Sequence, residues 1–324
     1  MFRKAAAAFA VVVSTAVVLA GCSATPATTT DDTAADGGLI SIIVNDPSNP
    51  YWTAEGETAK TEAEKLGYTA NISAHKADTK LESDLIDTAI TNKSVAIVLD
   101  PADSSGSIGA VQKATDAGIP VFLVNAEINQ EGIAKSQLVS NNAQGAALGA
   151  AEFVKATGGT GIYVELKGKP SDNNAATRSN GYASVLSQYP DLKLVGQEVA
   201  NWDTKEGHDK MQTLLAAHPE ITAVIAGNDT MALGAIAALK EAGRTEVIVG
   251  GLDGAPDAAA AIKEGSMAFT VLQPVTIYAA AAIQQADSYL RTGETGVATE
   301  KQTFDCILIN SDNVDKYTLF SVSE

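Results

Sequence analysis

From Leu39 onward, short apolar runs alternate with helix-length polar segments, and this alternation most narrows the folds open to the chain. Runs at 39–44, 68–72, 95–99 and 121–124 are separated by segments of helical character around 51–66, 79–93 and 105–117. Strand and helix alternating in this way predict a parallel sheet covered by helices on both faces. A further strand at 137–140 leads to Asn141-Asn142, and a second series begins. Its strands lie near 161–166, 193–199, 222–226, 246–250 and 268–272. Its helices lie near 143–157, 173–188, 205–217, 229–242, 255–264 and 275–291. The segment 304–309 reads as one last strand, and the tail beyond it has no pattern.

Two stretches within this series match each other. SVAIVLDPA starts at Ser94 and reaches Asp100, and the chain then passes through a helix to AGIPVFLVN, which ends in Asn125. AVIAGNDTMALGAIA, at 223–237, runs from an apolar strand through Gly227, Asn228 and Asp229 into a small-residue helix. It continues to AGRTEVIVGGLD, which ends in Asp253. Asp100 to Asn125 and Asn228 to Asp253 are both 25 residues. The expected fold is therefore α/β, with two similar doubly wound parallel-sheet lobes facing each other across a cleft. In such sheets, ligands are met at the carboxyl ends of the strands, opposite the helix N-termini. Asn228 also reads as a helix cap.

A chain of 324 residues suits about two domains. Its formal charge is −17, with no basic run beyond the extreme N-terminus, which argues against nucleic acid as a partner. Cys22 and Cys306 lie far apart in the chain, and no disulfide between them is expected. Cys306 sits in an apolar run and reads as a small buried hydrophobe. His75, His208 and His218 have no metal-ligand spacing, and neither a metal nor a cofactor is expected. The glycines at 158, 159 and 161 precede a strand instead of following one, so the dinucleotide fingerprint is missing in its required context.

At the N-terminus, Arg3 and Lys4 precede an apolar run from Ala5 to Ala20, which is too short for a mature membrane span. Leu19-Ala20-Gly21-Cys22 resembles the lipobox of bacterial lipoprotein signal peptides. That resemblance implies cleavage before Cys22 and lipid on its sulfur and amine, since stable anchoring needs more than one acyl chain. A plain secretory signal with an incidental cysteine is the other reading. Residues 23–38, rich in Thr, Ala and Asp, read as a disordered tether. Such a tether has a reach of roughly 20 Å.

The polar residues that follow the strands include Asn49, Tyr51, Trp52, Asn125, 172–174 with Arg178, Trp202, Asn228, Asp253 and Gln273. The set holds no nucleophile with a base, so it points to binding and not to turnover. Carboxylates, amides and one guanidinium between aromatic plates suit a neutral polyhydroxylated ligand, because each hydroxyl both donates and accepts.

At this point the motifs match a family. NPYW at 49–52, ATRSNGY at 176–182, NWD at 201–203, AGNDTMALGA at 226–235, GGLDGAPDA at 250–258 and VLQP at 271–274 resemble the ribose-binding-protein-like periplasmic solute-binding proteins. The resemblance covers nearly all of the chain after the tether. It implies two lobes joined by three hinge crossings, acting as a monomer, closing on a sugar and delivering it to an ABC transporter permease. The expected lobes are 39–140 plus 274–302, and 141–273 plus 303–324. Asn49, Tyr51, Trp52, Asn125, Arg178, Trp202, Asn228, Asp253 and Gln273 fall on the family's ligand positions, and Asn174 stands with them as a candidate.

Other roles stay open for several of these residues. Trp52 and Trp202 also read as core anchors, Asn49 as a turn former, Arg178 as a surface ion-pair residue, and Gln273 as a hinge residue. Asp172 and Asn173 read first as N-caps. Where ribose binders carry Asp-Arg, this chain has Asn125-Ala126, which argues against ribose itself. SAHKADT, LVSNNAQGAALGA, PSDNNAATRSNGY and EVANWD resemble a subgroup associated with threitol, erythritol and xylitol, so C4–C5 polyols are expected to bind more tightly than D-ribose. The same body serves autoinducer or chemoreceptor ligand binding. A regulator core needs an N-terminal helix-turn-helix where this chain has a leader and tether, and a doubly wound enzyme would turn its ligand over.

Overall fold

The computed structural model of the protein describes residues 37–322. The leader at 1–22, its Cys22 and most of the tether lie outside the described residues. Gly37 and Gly38 are already tied to the fold, through bonds from Gly37 N–H to Gly67 O (3.1 Å) and from Thr69 N–H to Gly38 O (2.9 Å).

The first series forms β1 (Leu39–Val44), β2 (Thr69–Ala74), β3 (Ala96–Leu99), β4 (Val121–Val124) and β5 (Ser136–Ser140), with α1 (Pro50–Lys65), α2 (Thr79–Thr91) and α3 (Ile108–Asp116) between them. The second series begins with α4 (Asn142–Thr157), β6 (Gly161–Lys167), α5 (Asn173–Leu186), β7 (Leu192–Val199) and α6 (Thr204–Ala217). It continues through β8 (Ala223–Ala226), α7 (Asp229–Glu241), β9 (Ile248–Gly250), α8 (Pro256–Glu264) and β10 (Phe269–Leu272). Then come α9 (Val275–Thr292), β11 (Lys301–Phe304) and β12 (Ile307–Asn310). The sheets are ordered β11-β5-β4-β3-β1-β2 and β12-β10-β9-β8-β6-β7. The orders coincide strand for strand, so the matching stretches seen in the sequence are equivalent parts of two similar lobes. The lobes differ at one edge, where β11 runs parallel to β5 and β12 antiparallel to β10.

The pleat explains why the central strands are apolar throughout. Alternate side chains go to opposite faces, and here both faces are covered. Ile40, Ile42, Val44 and Val98 pack with Tyr278, Ala282 and Ile283 of α9 on one face. Ile43, Ile97 and Leu99 pack with Ile86 and Val111 on the other. The helix spacing of Tyr278, Ala279, Ala282, Ile283 and Ala286 supplies the buried stripe that seats α9 on the first lobe.

The chain crosses between the sheets after Ser140, between Leu272 and Val275, and after Phe304. The last crossing differs from the sequence expectation. The single strand read over 304–309 is two strands in different sheets, and the lobe boundary read between 302 and 303 falls inside β11. Polar bonds break the run. Gln144 accepts from the Cys306 N–H (2.9 Å) and donates to its carbonyl (3.1 Å), while Asn141 N–H bonds Phe304 O (2.7 Å). Cys306 itself is buried and free, and burial pushes its thiol up to about 11.

The tail also has a structure that its sequence did not announce. β13 (Tyr317–Thr318) and β14 (Ser321–Val322) form a small hairpin. Tyr317 OH donates to Gly254 O in the second lobe (2.6 Å), and the Phe320 ring lies edge-on to Tyr51 of the first lobe at 5.8 Å. Phe320 is 1% exposed. Phe320→Ala is therefore expected to lower unfolding stability by about 3 kcal/mol, within the range for emptying a buried Phe site. Urea denaturation checks this, and an unchanged midpoint would mean that the tail is not part of the cooperative fold.

Candidate functional site

All ten residues taken from the sequence as ligand positions, Asn49 through Gln273, line one cavity together with Asp172. The atom-free space among them, part of it open to solvent, is about 270 Å³. The residues follow the carboxyl ends of β1, β4, β6, β7, β8, β9 and β10, so both lobes contribute.

In the first lobe, Asn49 caps α1 by accepting from Tyr51 N–H (2.9 Å), with Pro50 in the first turn. The turn-forming role is real, and it puts Tyr51 and Trp52 at the start of the helix, facing the cavity, with their rings edge to face at 6.4 Å. Tyr51 OH donates to Asn125 Oδ1 (2.9 Å), and Asn125 Nδ2 donates to Asp100 Oδ2 (2.9 Å). Ala126, next in sequence, is buried and does not line the cavity.

In the second lobe, Arg178 is 4% exposed, so it is not a surface ion-pair residue. Its Nε donates to Asn142 Oδ1 (2.7 Å), and its Nη1 to Gly227 O (2.8 Å) and Asp253 Oδ1 (3.3 Å). The guanidinium lies 5.1 Å from the centre of the Trp202 ring. Trp202 Nε1 donates to Asp172 Oδ2 (3.1 Å), whose other oxygen caps α5 through Asn174 N–H (2.8 Å). A methyl group on Gly168 would sit inside the Trp202 ring, so glycine is what lets the indole lie over this strand end.

Asn228 is both cap and cavity residue. Its Oδ1 accepts from Met231 N–H (3.0 Å), and its Nδ2 donates to Thr230 Oγ1 (2.8 Å). Asn174 joins the lobes, accepting from Asn142 Nδ2 (2.8 Å) and donating to the Asn125 carbonyl (3.1 Å). Asn173 lies off the cavity and bonds Asn129 Oδ1 (2.8 Å) of the first lobe.

Three of the lining residues hold positive φ without being glycine: Asn125 (62°), Trp202 (66°) and Asp253 (136°). Such backbone costs on the order of 1–3 kcal/mol each and persists where surrounding bonds fix it. Gln273 Nε2 donates to Asp253 Oδ1 (2.6 Å), whereas Gln273 Oε1 is buried with no hydrogen-bond partner. Gln273 therefore does more than mark the hinge: it lines the cavity and carries an acceptor with no protein partner.

The sequence reading left Asp100 and Asn142 out of the site and took Asp172 mainly as a cap. Asp100 carried a signal, since it ends the strand that pairs with the strand of Asn125. Asn142 carried none, because only the tertiary fold brings it under Arg178.

The lining holds no Ser, Thr, Cys, Lys or His. Burial pushes Asp253 up to about 6 against the pull of Arg178 and Gln273. Asp229, behind it and bonded by Thr270 Oγ1 (2.7 Å) and Ala255 N–H (2.7 Å), is pushed up to about 7 by burial and by Asp253. Glu55 and Asp100 are also held well above the usual carboxylate range by burial.

Each of these acids binds its proton more tightly folded than unfolded. Their stabilising effect is therefore complete at low pH and is lost as pH rises through the folded values near 6 and 7. His75, buried and lowered to about 4, works in the opposite direction, but only once pH falls below its ordinary value of 6.5. The urea midpoint is thus expected to rise as pH falls from about 8 to about 6.5. A flat or falling midpoint over that window would contradict the assignment.

Comparison with known proteins follows the same lines. Residues 40–295 match the family model of the periplasmic binding protein domain. The D-apiose import binding protein of Actinobacillus succinogenes is 50% identical over 291 residues, 90% of this chain and 94% of that protein. The xylitol-binding protein of Mycolicibacterium smegmatis is 34% identical over 239 residues, 74% of this chain and 67% of that one. Among solved structures, an ABC transporter solute binding protein from Bacillus halodurans with bound myo-inositol superposes with a TM-score of 0.80 at 27% identity, covering 87% of this chain and 97% of that chain. The chain belongs to the periplasmic binding protein domain family, whose members bind solutes and are not enzymes.

Proposed function

We propose that this protein captures a small neutral sugar outside the cytoplasm and hands it to an ABC transporter permease, with D-apiose as the first candidate ligand. The observation that carries the reading is Gln273 Oε1, an acceptor buried without a partner on a residue that lines a cavity walled from both lobes. Buried polar groups are almost always hydrogen-bonded, so this oxygen calls for a donor from a ligand. A sugar hydroxyl supplies it. Arg178 Nε and Nη1 are committed to the protein, which leaves Nη2 as the donor for a ligand oxygen. An anionic ligand would meet Asp253 and Asp172 in the same cavity, so a neutral one is favoured.

D-apiose fits this cavity chemically. In its furanose form one ring carbon is a bare methylene, where D-ribose carries a hydroxymethyl group. That carbon suits a site into which position 126 sends no cation, Ala126 itself lying buried off the lining. The 50%-identical relative named for D-apiose import supports the choice. A C4–C5 polyol is the second reading. It rests on the same absence of a cation from position 126 and on the relative named for xylitol.

Calorimetry with D-apiose, xylitol, erythritol, threitol and D-ribose tests both readings. D-ribose is expected to bind most weakly, by about tenfold or more, since a hydroxyl buried unpaired costs roughly 1–3 kcal/mol. D-apiose is expected to bind most tightly. D-ribose binding as tightly as every other compound would overturn the ligand assignment.

The proposal extends to the anchor: Cys22 carries lipid and holds the monomeric binding body near the membrane on a short tether. Cys22→Ser is expected to release the protein to the soluble fraction or to leave the precursor uncleaved. Unchanged membrane partitioning of the variant would rule the anchor out.

A further inference from the structure

We infer that Asp100, which lies behind the cavity wall, is a positioning residue that decides which hydrogen-bonding pattern the first lobe presents to the sugar. The inference rests on reading the cavity as a sugar site. Asp100 is 1% exposed and does not line the cavity; it reaches the lining through the Asn125 amide and through the Trp52 side chain.

An ionised carboxylate accepts hydrogen bonds and cannot donate them. Asp100 Oδ2 accepts from Asn125 Nδ2 at 2.9 Å and so holds the amide with its Nδ2 inward. Asn125 Oδ1 must then face Tyr51, and the Tyr51 hydroxyl spends its only proton on that oxygen, also at 2.9 Å. Toward the cavity two features remain: the second N–H of Asn125, which donates, and the lone pairs of the Tyr51 oxygen, which accept. A single ligand hydroxyl satisfies both. An ether or ring oxygen satisfies only the first and leaves the second unmet.

Glu55 shares this buried setting with Asp100. It is a fully buried carboxyl on α1, neither of its oxygens has a hydrogen-bond partner, and its proton is held by burial and by the charge of Asp100. Of the two acids, Asp100 has the amide donor and Glu55 has none, so Asp100 is the first to give up its proton. His75 Nε2 bonds the Asp100 carbonyl at 2.7 Å and holds the loop in place.

Asp100→Asn keeps the shape and removes the constraint. The Asn125 amide is then free to turn over, and the Tyr51 proton turns outward. With D-apiose, or whichever sugar of the panel binds most tightly, Asp100→Asn and Tyr51→Phe are each expected to weaken binding about tenfold. Because both act through one hydroxyl pattern, the double variant is expected to lose about tenfold as well, and not about a hundredfold. A merely structural role for Asp100 would lower the unfolding midpoint and leave the two binding losses multiplicative. Multiplicative losses, or wild-type affinity in Asp100→Asn, would overturn the inference.

A second measurement needs no variant and no ligand. In nitrogen-labelled wild-type protein, one of the two Asn125 Nδ2 protons is expected to be protected from solvent exchange in the free state. The other is expected to become protected only when sugar is added. Solvent-rate exchange of both protons in the free protein would overturn the inference even if Asp100→Asn fails to fold. If no sugar binds the wild type, the sugar reading fails, and the free-state protection alone decides the role of Asp100.

Discussion

The buried guanidinium of Arg178 is the interaction on which the rest of the site depends. A charge removed from water is tolerated only when it is paired and hydrogen-bonded. Arg178 meets that demand with Asn142, the Gly227 carbonyl and Asp253. Those partners are themselves structural joints. Asp253 is held by Gln273, next to the crossing into α9, and Asn142 begins the helix that follows the first crossing. From Asn142 the bonds pass through Asn174 to the Asn125 carbonyl of the first lobe. One buried cation thus ties the second-lobe strand ends, two of the three crossings and the opposite wall of the cavity into a single network.

Away from the cavity, the lobes meet through a separate set of bonds. Lys169 of the second lobe donates to the Ala77 and Ala102 carbonyls of the first (3.0 and 3.1 Å). Ser104 N–H bonds Ser171 O (2.9 Å), and Ser104 Oγ accepts from Asn173 N–H (3.1 Å). These contacts hold the two lobes against each other beside the cavity. A sugar adds to them only if it binds the closed form more tightly than the open one, and a cavity walled from both lobes provides that difference.

Much of this was legible in the chain itself. Runs such as AIVL at 96–99 and VFLV at 121–124 read as strands covered on both faces, and they are. The site residues were legible because an open parallel sheet fixes where strand ends point. The third crossing was hidden, because its break depends on Gln144, a distant side chain that satisfies the backbone of Cys306. The hairpin against Tyr51 and the place of Asn142 were hidden for the same reason. Local pattern reports which face a residue takes, and these contacts are set by which element arrives from elsewhere. Asn228 shows a different limit: cap and cavity residue were posed as rivals, yet the two ends of one amide serve both.

The central claim is that a neutral sugar is enclosed between two lobes that move relative to each other. Small-angle scattering of the protein with and without a saturating sugar, with binding verified by calorimetry on the same sample, tests it most directly. The account predicts a smaller radius of gyration in the saturated protein, because the ligand selects the closed form. An identical radius of gyration at proven saturation would contradict it.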